Sequence, residues 1–503
     1  MFVVSPRILV RTFTMLSMAG LLLPATAEAG PPPAETSAPA QEAEFSPVDW
    51  WTEFDDTVLN ELVGQAIDGN HDLATAGARV LTAQGITKQA ASPLLPTVGF
   101  DVGLNASPSS ASSFAMSPEL NKLMSDLAAF QDLLPSDPDA PDTDESEEDP
   151  ALSWNGSASL RFGLRIDPGA SVAGLRSAQL SAAAARGDRD AVARVVVQQV
   201  VTGWLDLRTA GLRLALLQEQ EVAHDQLLGL IRARYASGLT GALDVLRQEQ
   251  QVAAARSQLP RGRQAQQLLG IRLGVLLGSG PEGSTDLIAA AGASSGLPEL
   301  PSPPSLGVPS DLQQDRPDLK SAQLRYDAAV ANQTSSALAF APSLSLSANV
   351  GLSLRHYGEW DTQEAYGFGA TLQVPIFGGL ARAGALQQSV AARKSAGRTL
   401  SAISQSVQAE VASARATEDT ELERLDALRV QLAAADSAYL QSVRSYEAGL
   451  TDYLSVLTAL SVLQQTQLNH LQARRDVLVA RVDLHSALGS RWTYLLRPAG
   501  VRR

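Results

Sequence analysis

Two periodicities divide this chain. Val98, Phe100, Val102 and Leu104 alternate with Thr97, Gly99, Asp101, Gly103 and Asn105. Trp154, Ala158, Leu160, Phe162, Leu164 and Ile166 are set against Asn155, Ser157, Ser159, Arg161 and Arg165. Later, Leu344, Leu346, Ala348, Val350, Leu352 and Leu354 alternate with serines, Asn349 and Gly351, and Tyr366, Phe368, Ala370, Leu372 and Val374 with Gly367, Gly369, Thr371 and Gln373. A period of two predicts four strands, each with one apolar and one polar face. Elsewhere the period is helical. One helix is predicted from Asp56 to about Ala91, stopped by Pro93 and Pro96, and another from about Asp311 to Ala341, stopped by Pro342. Gly169 to Tyr235 contains no proline, and at about 1.5 Å per residue such a helix extends on the order of 100 Å. Val197, Val200, Trp204 and Leu207 step by three and four, as do Leu425, Leu428, Leu432, Ala435 and Tyr439. Seams that narrow lay helices along neighbours, as in coiled coils.

These elements recur in the same order. "RYASGLTGALDVLRQEQQ" from Arg234 and "SYEAGLTDYLSVLTALSV" from Ser445 match Tyr235 with Tyr446, Gly238 with Gly449, Leu243 with Leu454 and Val245 with Val456. The offset is 211 (449 − 238), whereas Asp72 and Pro96 correspond to Asp318 and Pro342 at 246 (318 − 72). The difference, 35 residues (246 − 211), puts extra length in the first half, between Ala106 and Pro150. That segment ends in a proline-broken acidic run, "PSDPDAPDTDESEEDP", which lacks the glycine and ligand spacing of a calcium loop and reads as a solvated loop. In each repeated phrase the glycine stops a long helix and another helix follows, so the phrases are turns at the tips of helical hairpins. A unit of helix, strand, strand, long helix, turn and helix is therefore duplicated. The first copy is 46–310, with a Pro-rich segment at 279–310, and the second is 311–489, followed by a tail at 490–503.

Composition refines this outline. Apolar residues make up 45% and aromatics only 5%, while Ala, Leu, Gln, Ser and Arg crowd the long helical stretches, which fits small-residue helix packing better than compact layers. The net charge of −14 argues against a nucleic-acid partner. Arg7 and Arg11, an apolar run through Leu21, Leu22 and Leu23, and then Ala27, Glu28 and Ala29 read as an export signal over 1–29, too short for a membrane anchor. A Pro- and Ala-rich linker follows at 30–45. Cysteine is absent, which removes disulfides, thiolate metal sites and a lipidated cysteine from consideration.

Four strands of roughly 10 to 13 residues can cross a bilayer when tilted, but outer-membrane barrels need about eight strands to close. The edges must then pair with other copies: two would give eight strands and three would give twelve. "VDWWTEFDDTVLNELVGQAI", "NHDLATAGARVLTAQ", "RPDLKSAQLRYDAA", "VPIFGG" and the two tip phrases stand in an order that resembles the TolC family of trimeric outer-membrane channels, in particular its nodulation-type efflux subgroup. The resemblance covers nearly all of the chain after the signal. It implies mixed α and β architecture, with each chain giving a four-stranded share of a trimeric transmembrane barrel above a coiled-coil periplasmic tunnel. An equatorial layer would draw on Trp50, Trp51, the stretch from Ser279 to Pro309 and the tail after Leu488. Implied partners are two sister chains, a periplasmic adaptor, an inner-membrane transporter that supplies the energy, and outer-membrane lipid. The implied docking and gating residues are Arg234, Tyr235, Gly238, Leu239, Thr240, Asp244, Tyr446, Gly449, Leu450, Thr451 and Asp452. Two departures stand out. Relatives often carry acids six and nine positions beyond the second tip glycine, where this chain has Ser455 and Thr458, and the lipid-anchor cysteine is missing.

The expected function is a passive export duct for small amphipathic compounds across the outer membrane. The alternatives are the outer-membrane part of a type I protein secretion system and, in another class, a barrel-anchored coiled-coil adhesin or scaffold. An enzyme is not expected. "GSGPEG" at Gly278 to Gly283 has the glycines of a dinucleotide site, but a helix precedes it and Pro281 interrupts it, so it reads as a helix stop. The five histidines have no metal-ligand spacing, no P-loop or nucleophile elbow occurs, and no cofactor, metal or catalytic residue is assigned.

Overall fold

The computed structural model describes residues 49–108, 122, 123, 125, 126, 152–293, 296–304, 316–357, 359–378 and 380–489. The export signal, the linker, most of the acidic insertion and the tail at 490–503 lie outside these described residues. After a short 3-10 turn, Trp50–Phe54, come α1 (Thr57–Gly69) and α2 (His71–Ala91), then β1 (Thr97–Pro108) and β2 (Leu152–Ile166). α3 (Ala170–Ala236) and α4 (Ala242–Leu276) form the first hairpin, followed by α5 (Ser284–Ala293) and α6 (Pro317–Leu338). β3 (Ser343–Tyr357), β4 (Glu359–Gln373), α7 (Ala381–Glu447) and α8 (Tyr453–Leu488) complete the second copy. α3 and α7 are each 67 residues long, so the duplication reaches the lengths of the elements.

Several boundaries differ from the sequence expectation, each for a local reason. The single helix expected from Asp56 to Ala91 is two, because Asn70 adopts an extended ψ of 126°. Its side-chain oxygen accepts from the amides of Asp72 and Leu73 at 2.9 and 3.0 Å, which caps α2. The helix expected from Asp311 begins at Pro317, where a first-turn proline loses no hydrogen bond, and 311–315 lie outside the described residues. Within the Pro-rich segment, α5 forms where Ser284 to Ala293 run without proline. Pro260 sits inside α4 without ending it. Val374 falls just beyond β4.

The strands form one antiparallel sheet in the order β1-β2-β3-β4. Register puts the alternating residues on common faces. Phe100 pairs with Leu160, Leu160 with Val350 and Val350 with Tyr366, which makes one apolar row. Gly99 pairs with Arg161, Arg161 with Asn349 and Asn349 with Gly367, which makes a polar row on the opposite face. The apolar face is open: Phe100 is 70% and Phe368 88% exposed. Among the described residues β1 and β4 each keep one unpaired edge. Among the described residues no helix is long and apolar enough to cross a membrane.

The main core lies around the middle of the helices, where Trp50, Trp51 and Phe54 pack with α1 against the α3 seam. Val197, Val200, Trp204 and Leu207 are completely buried, each large side chain contributing about 1.5–3 kcal/mol by leaving water. The second seam is shallower: Leu425 and Ala435 are buried, while Leu428 only packs at the edge of a small cluster with Ala473 and Val477. Buried charges tie this layer together. Asp56 caps α1 through the Leu59 amide and accepts from the Trp204 indole at 2.8 Å and from Arg208 at 2.7 Å. Arg481, on α8, holds Glu418 of α7 and the Pro301 carbonyl. Arg316 binds Asp318 through two nitrogens, Glu410 at 2.8 Å and the Ala487 carbonyl at 2.6 Å. Burial works to raise the Asp318 carboxyl, but its bonds to Arg316 prevail and hold it below the usual carboxylate range. Removing one partner of such a buried pair typically costs about 3–5 kcal/mol, because the other charge is stranded.

Candidate functional site

The two repeated phrases end their helices by the same backbone device. In the first, Gly238 has φ of 73°, its amide reaches the Tyr235 carbonyl at 2.9 Å, and the Leu239 amide reaches the Arg234 carbonyl at 2.9 Å. In the second, Gly449 has φ of 74°, with Gly449 to Tyr446 at 3.0 Å and Leu450 to Ser445 at 2.8 Å. This is the Schellman arrangement, and its left-handed residue is why a glycine stands in each copy. The residue after that glycine commonly folds its side chain back on the helix. Here it does not: Leu239 is 66% and Leu450 81% exposed. Leu243, Leu246, Leu454 and Tyr235 are exposed beside them.

The next helices start differently. Asp452 caps α8, accepting from the Ser455 amide at 3.0 Å and its hydroxyl at 2.6 Å, and these bonds hold its carboxyl below the ordinary range. Asp244 sits in the first turn of α4, where it accepts from the Thr240 hydroxyl at 2.7 Å and lies 3.7 Å from Arg247. Thr451 is half-buried in the second turn. Ser455 is thus engaged in capping, and the Thr458 hydroxyl donates to the Leu454 carbonyl at 2.8 Å.

The tips are joined to each other. Arg234 donates to the Tyr446 carbonyl at 2.9 Å, near the end of α7, where a cation also meets the negative end of the helix dipole. Its guanidinium lies 4.5 Å from the centre of the Tyr446 ring. Tyr446 is buried with Leu227, Ile231, Tyr453, Val456 and Leu460 in a small core between the hairpins.

A second link escaped the sequence reading. The Tyr453 hydroxyl donates to Gln248 at 2.7 Å, and Gln248 donates to the His224 carbonyl at 2.6 Å. The His224 ring meets Gln464 at 3.0 Å, and Gln220 donates to the Gln464 carbonyl at 3.2 Å. α3, α4 and α8 are therefore bridged by one polar chain, and burial holds His224 below its ordinary pKa. The only signal in the sequence was polar residues on helical faces that elsewhere carry apolar ones. The structure brings Arg234 and Tyr446 together, and Thr240 with Asp244. It leaves Leu239, Leu450 and Tyr235 facing solvent.

Comparison with known proteins supplies the context. The model of the outer membrane efflux protein family matches residues 62–279 and 308–490. The pyoverdine export outer membrane protein OpmQ of Pseudomonas putida is 29% identical over 478 residues, which cover 93% of this chain and 94% of that protein. Nodulation protein T of Rhizobium leguminosarum bv. trifolii is 25% identical and covers 88% of each. The crystal structure of the outer membrane protein VceC of Vibrio cholerae superposes with a TM-score of 0.72 at 21% identity, covering 88% of this chain and 98% of that one.

Proposed function

This chain belongs to the outer membrane efflux protein family, and from that premise we propose that three copies close one duct. Each chain gives four strands, so three give a barrel of twelve (3 × 4) with the helical hairpins hanging into the periplasm below it. The observation that carries this reading is the pair of free edges, β1 and β4, on a sheet whose apolar face is bare. In lipid each unpaired backbone group costs on the order of several kcal/mol, so the edges must meet sister chains. The apolar rows then face lipid and the polar rows line the passage. The chain is an outer-membrane efflux component, and its cargo, in this proposal, is small amphipathic compounds moved passively. An inner-membrane transporter supplies the energy, and a periplasmic adaptor bridges the two.

Docking and gating are assigned to Arg234, Tyr235, Gly238, Leu239, Thr240, Asp244, Tyr446, Gly449, Leu450, Thr451 and Asp452. Leu239 and Leu450 support the docking part, because a leucine held in solvent by a glycine turn offers apolar area to a partner. The Arg234 link to Tyr446 supports the gating part, because it must break if the hairpins separate. Unboiled outer-membrane extract is expected to show a band at three chain masses that collapses to one on heating, and deletion is expected to raise drug sensitivity. A soluble monomer in the periplasm would overturn the reading.

A further inference from the structure

Where the strands meet the helices, the polar face of the sheet carries an arginine with no ion pair among the described residues. Arg161 is paired with Asp101 at 3.3 Å. Arg165, two same-face positions nearer the helices (161, 163, 165), makes no ion pair or hydrogen bond with any described residue, and neither does Arg382 in the first turn of α7. Both line one pocket of about 470 Å³ at the junction of strands and helices, together with Asp167, Ser171, Ser335 and Ser343. Asp167 does not neutralise them by contact: its oxygens accept from the Gly169 amide at 3.1 Å, the Ser171 amide at 2.9 Å and the Ser171 hydroxyl. The Ser335 hydroxyl is also engaged, donating to the Ala170 carbonyl at 2.8 Å. Among the described residues the two guanidiniums therefore have no charged or hydrogen-bonded partner in the pocket.

Register shows which face of the sheet Arg165 is on. Arg165 pairs with Ser345 and Ser345 with Thr371, on the polar face, and the neighbouring rows there hold Gly99, Gly163, Gly367 and Gly369. Glycines at these positions leave room beside Arg165, which is exposed among the described residues. A guanidinium presents paired N–H donors that match carboxylate, phosphate and sulfonate oxygens, and in a confined site it strengthens such bonds.

We propose that Arg165 and Arg382 form an oxyanion-binding collar where the tunnel meets the barrel, so that the exported cargo includes compounds bearing carboxylate, phosphate or sulfonate groups. The collar rests on the duct reading above, since it requires the polar face to line the passage. It gives the duct a point of selectivity far from the hairpin tips, on the path of any molecule leaving the tunnel.

The test is current through the purified full-length channel in a planar bilayer, with anions added on the side of the barrel mouth, so that they reach the collar before the tips. Inorganic tripolyphosphate and the aromatic trisulfonate pyranine serve as probes. Both are expected to block the current, and in Arg165→Gln/Arg382→Gln the half-blocking concentration should rise about tenfold or more. Arg355→Gln, which removes an arginine elsewhere on the polar face, should leave the block nearly unchanged. Equal block of the native and double-variant channels would overturn the collar, as would an equal shift in Arg355→Gln. Block by tripolyphosphate alone would mark a site for small inorganic anions and overturn the cargo assignment. The absence of any current in the native protein would overturn the duct reading itself.

Discussion

Asn70 serves three helix ends at once: it terminates α1, caps α2 with its oxygen, and donates its amide nitrogen to the Leu276 carbonyl at the end of α4 at 2.8 Å. The contact is tight because two glycines meet there. Gly278 has φ of 76°, and a Cβ on it would lie 2.1 Å from the Gly69 carbonyl oxygen. The first glycine of "GSGPEG" is therefore explained by helix packing, and Gly280 by its φ of 70°. A few positions away in the same core, His485 stacks on Trp50 with centroids 5.4 Å apart. Burial first, and the Arg481 charge second, depress its pKa to about 4 from 6.5. The folded chain thus binds fewer protons than the unfolded chain between those values. Stability is complete above pH 6.5 and falls as pH drops towards about 4, by roughly 3 kcal/mol in all. Thermal unfolding at pH 7 and pH 5 should show about 2 kcal/mol of that loss, and His485→Asn should flatten it. In the sequence His485 was one of five scattered histidines, since stacking and burial are set by partners more than 400 residues away (485 − 50).

At the level of elements, period and punctuation were legible and depth was not. Alternation located all four strands and both faces, because a pleated strand forces side chains to opposite sides. Glycines located both tips, because few other residues tolerate φ near 74°. The α5 helix and the break at Asn70 were missed, because ten residues of helix or one cap leave little periodic signal. Also invisible was that the first seam is sealed while the second is shallow. The polar chain through Tyr453, Gln248 and His224 joins elements that spacing alone could not align. Tyr453→Phe would leave the Gln248 oxygen buried without its donor, at a cost of about 1–3 kcal/mol. Hydrogen exchange of the backbone amides at Leu227–Ile231 and Val456–Leu460 should quicken, about fivefold or more, with the main core around Trp204 unchanged. Unaltered exchange at both segments would show that the bridge does not hold the hairpins together.

Across the whole molecule, β1 and β2 come from the first repeat and β3 and β4 from the second, so the β2–β3 pairing is a seam between repeats. In the proposed trimer the β4–β1 contact of neighbouring chains would be the same kind of seam, lacking only a peptide connection. Going round the ring, six half-units would then alternate, joined by covalent and non-covalent boundaries in turn. In that ring the peptide bond between the repeats would then be dispensable for closure. A gene severed between the codons for 310 and 311, each fragment given its own export signal, should still yield a working conduit. Restored drug resistance in a deletion strain carrying both fragments, and in none carrying one, is the expected result.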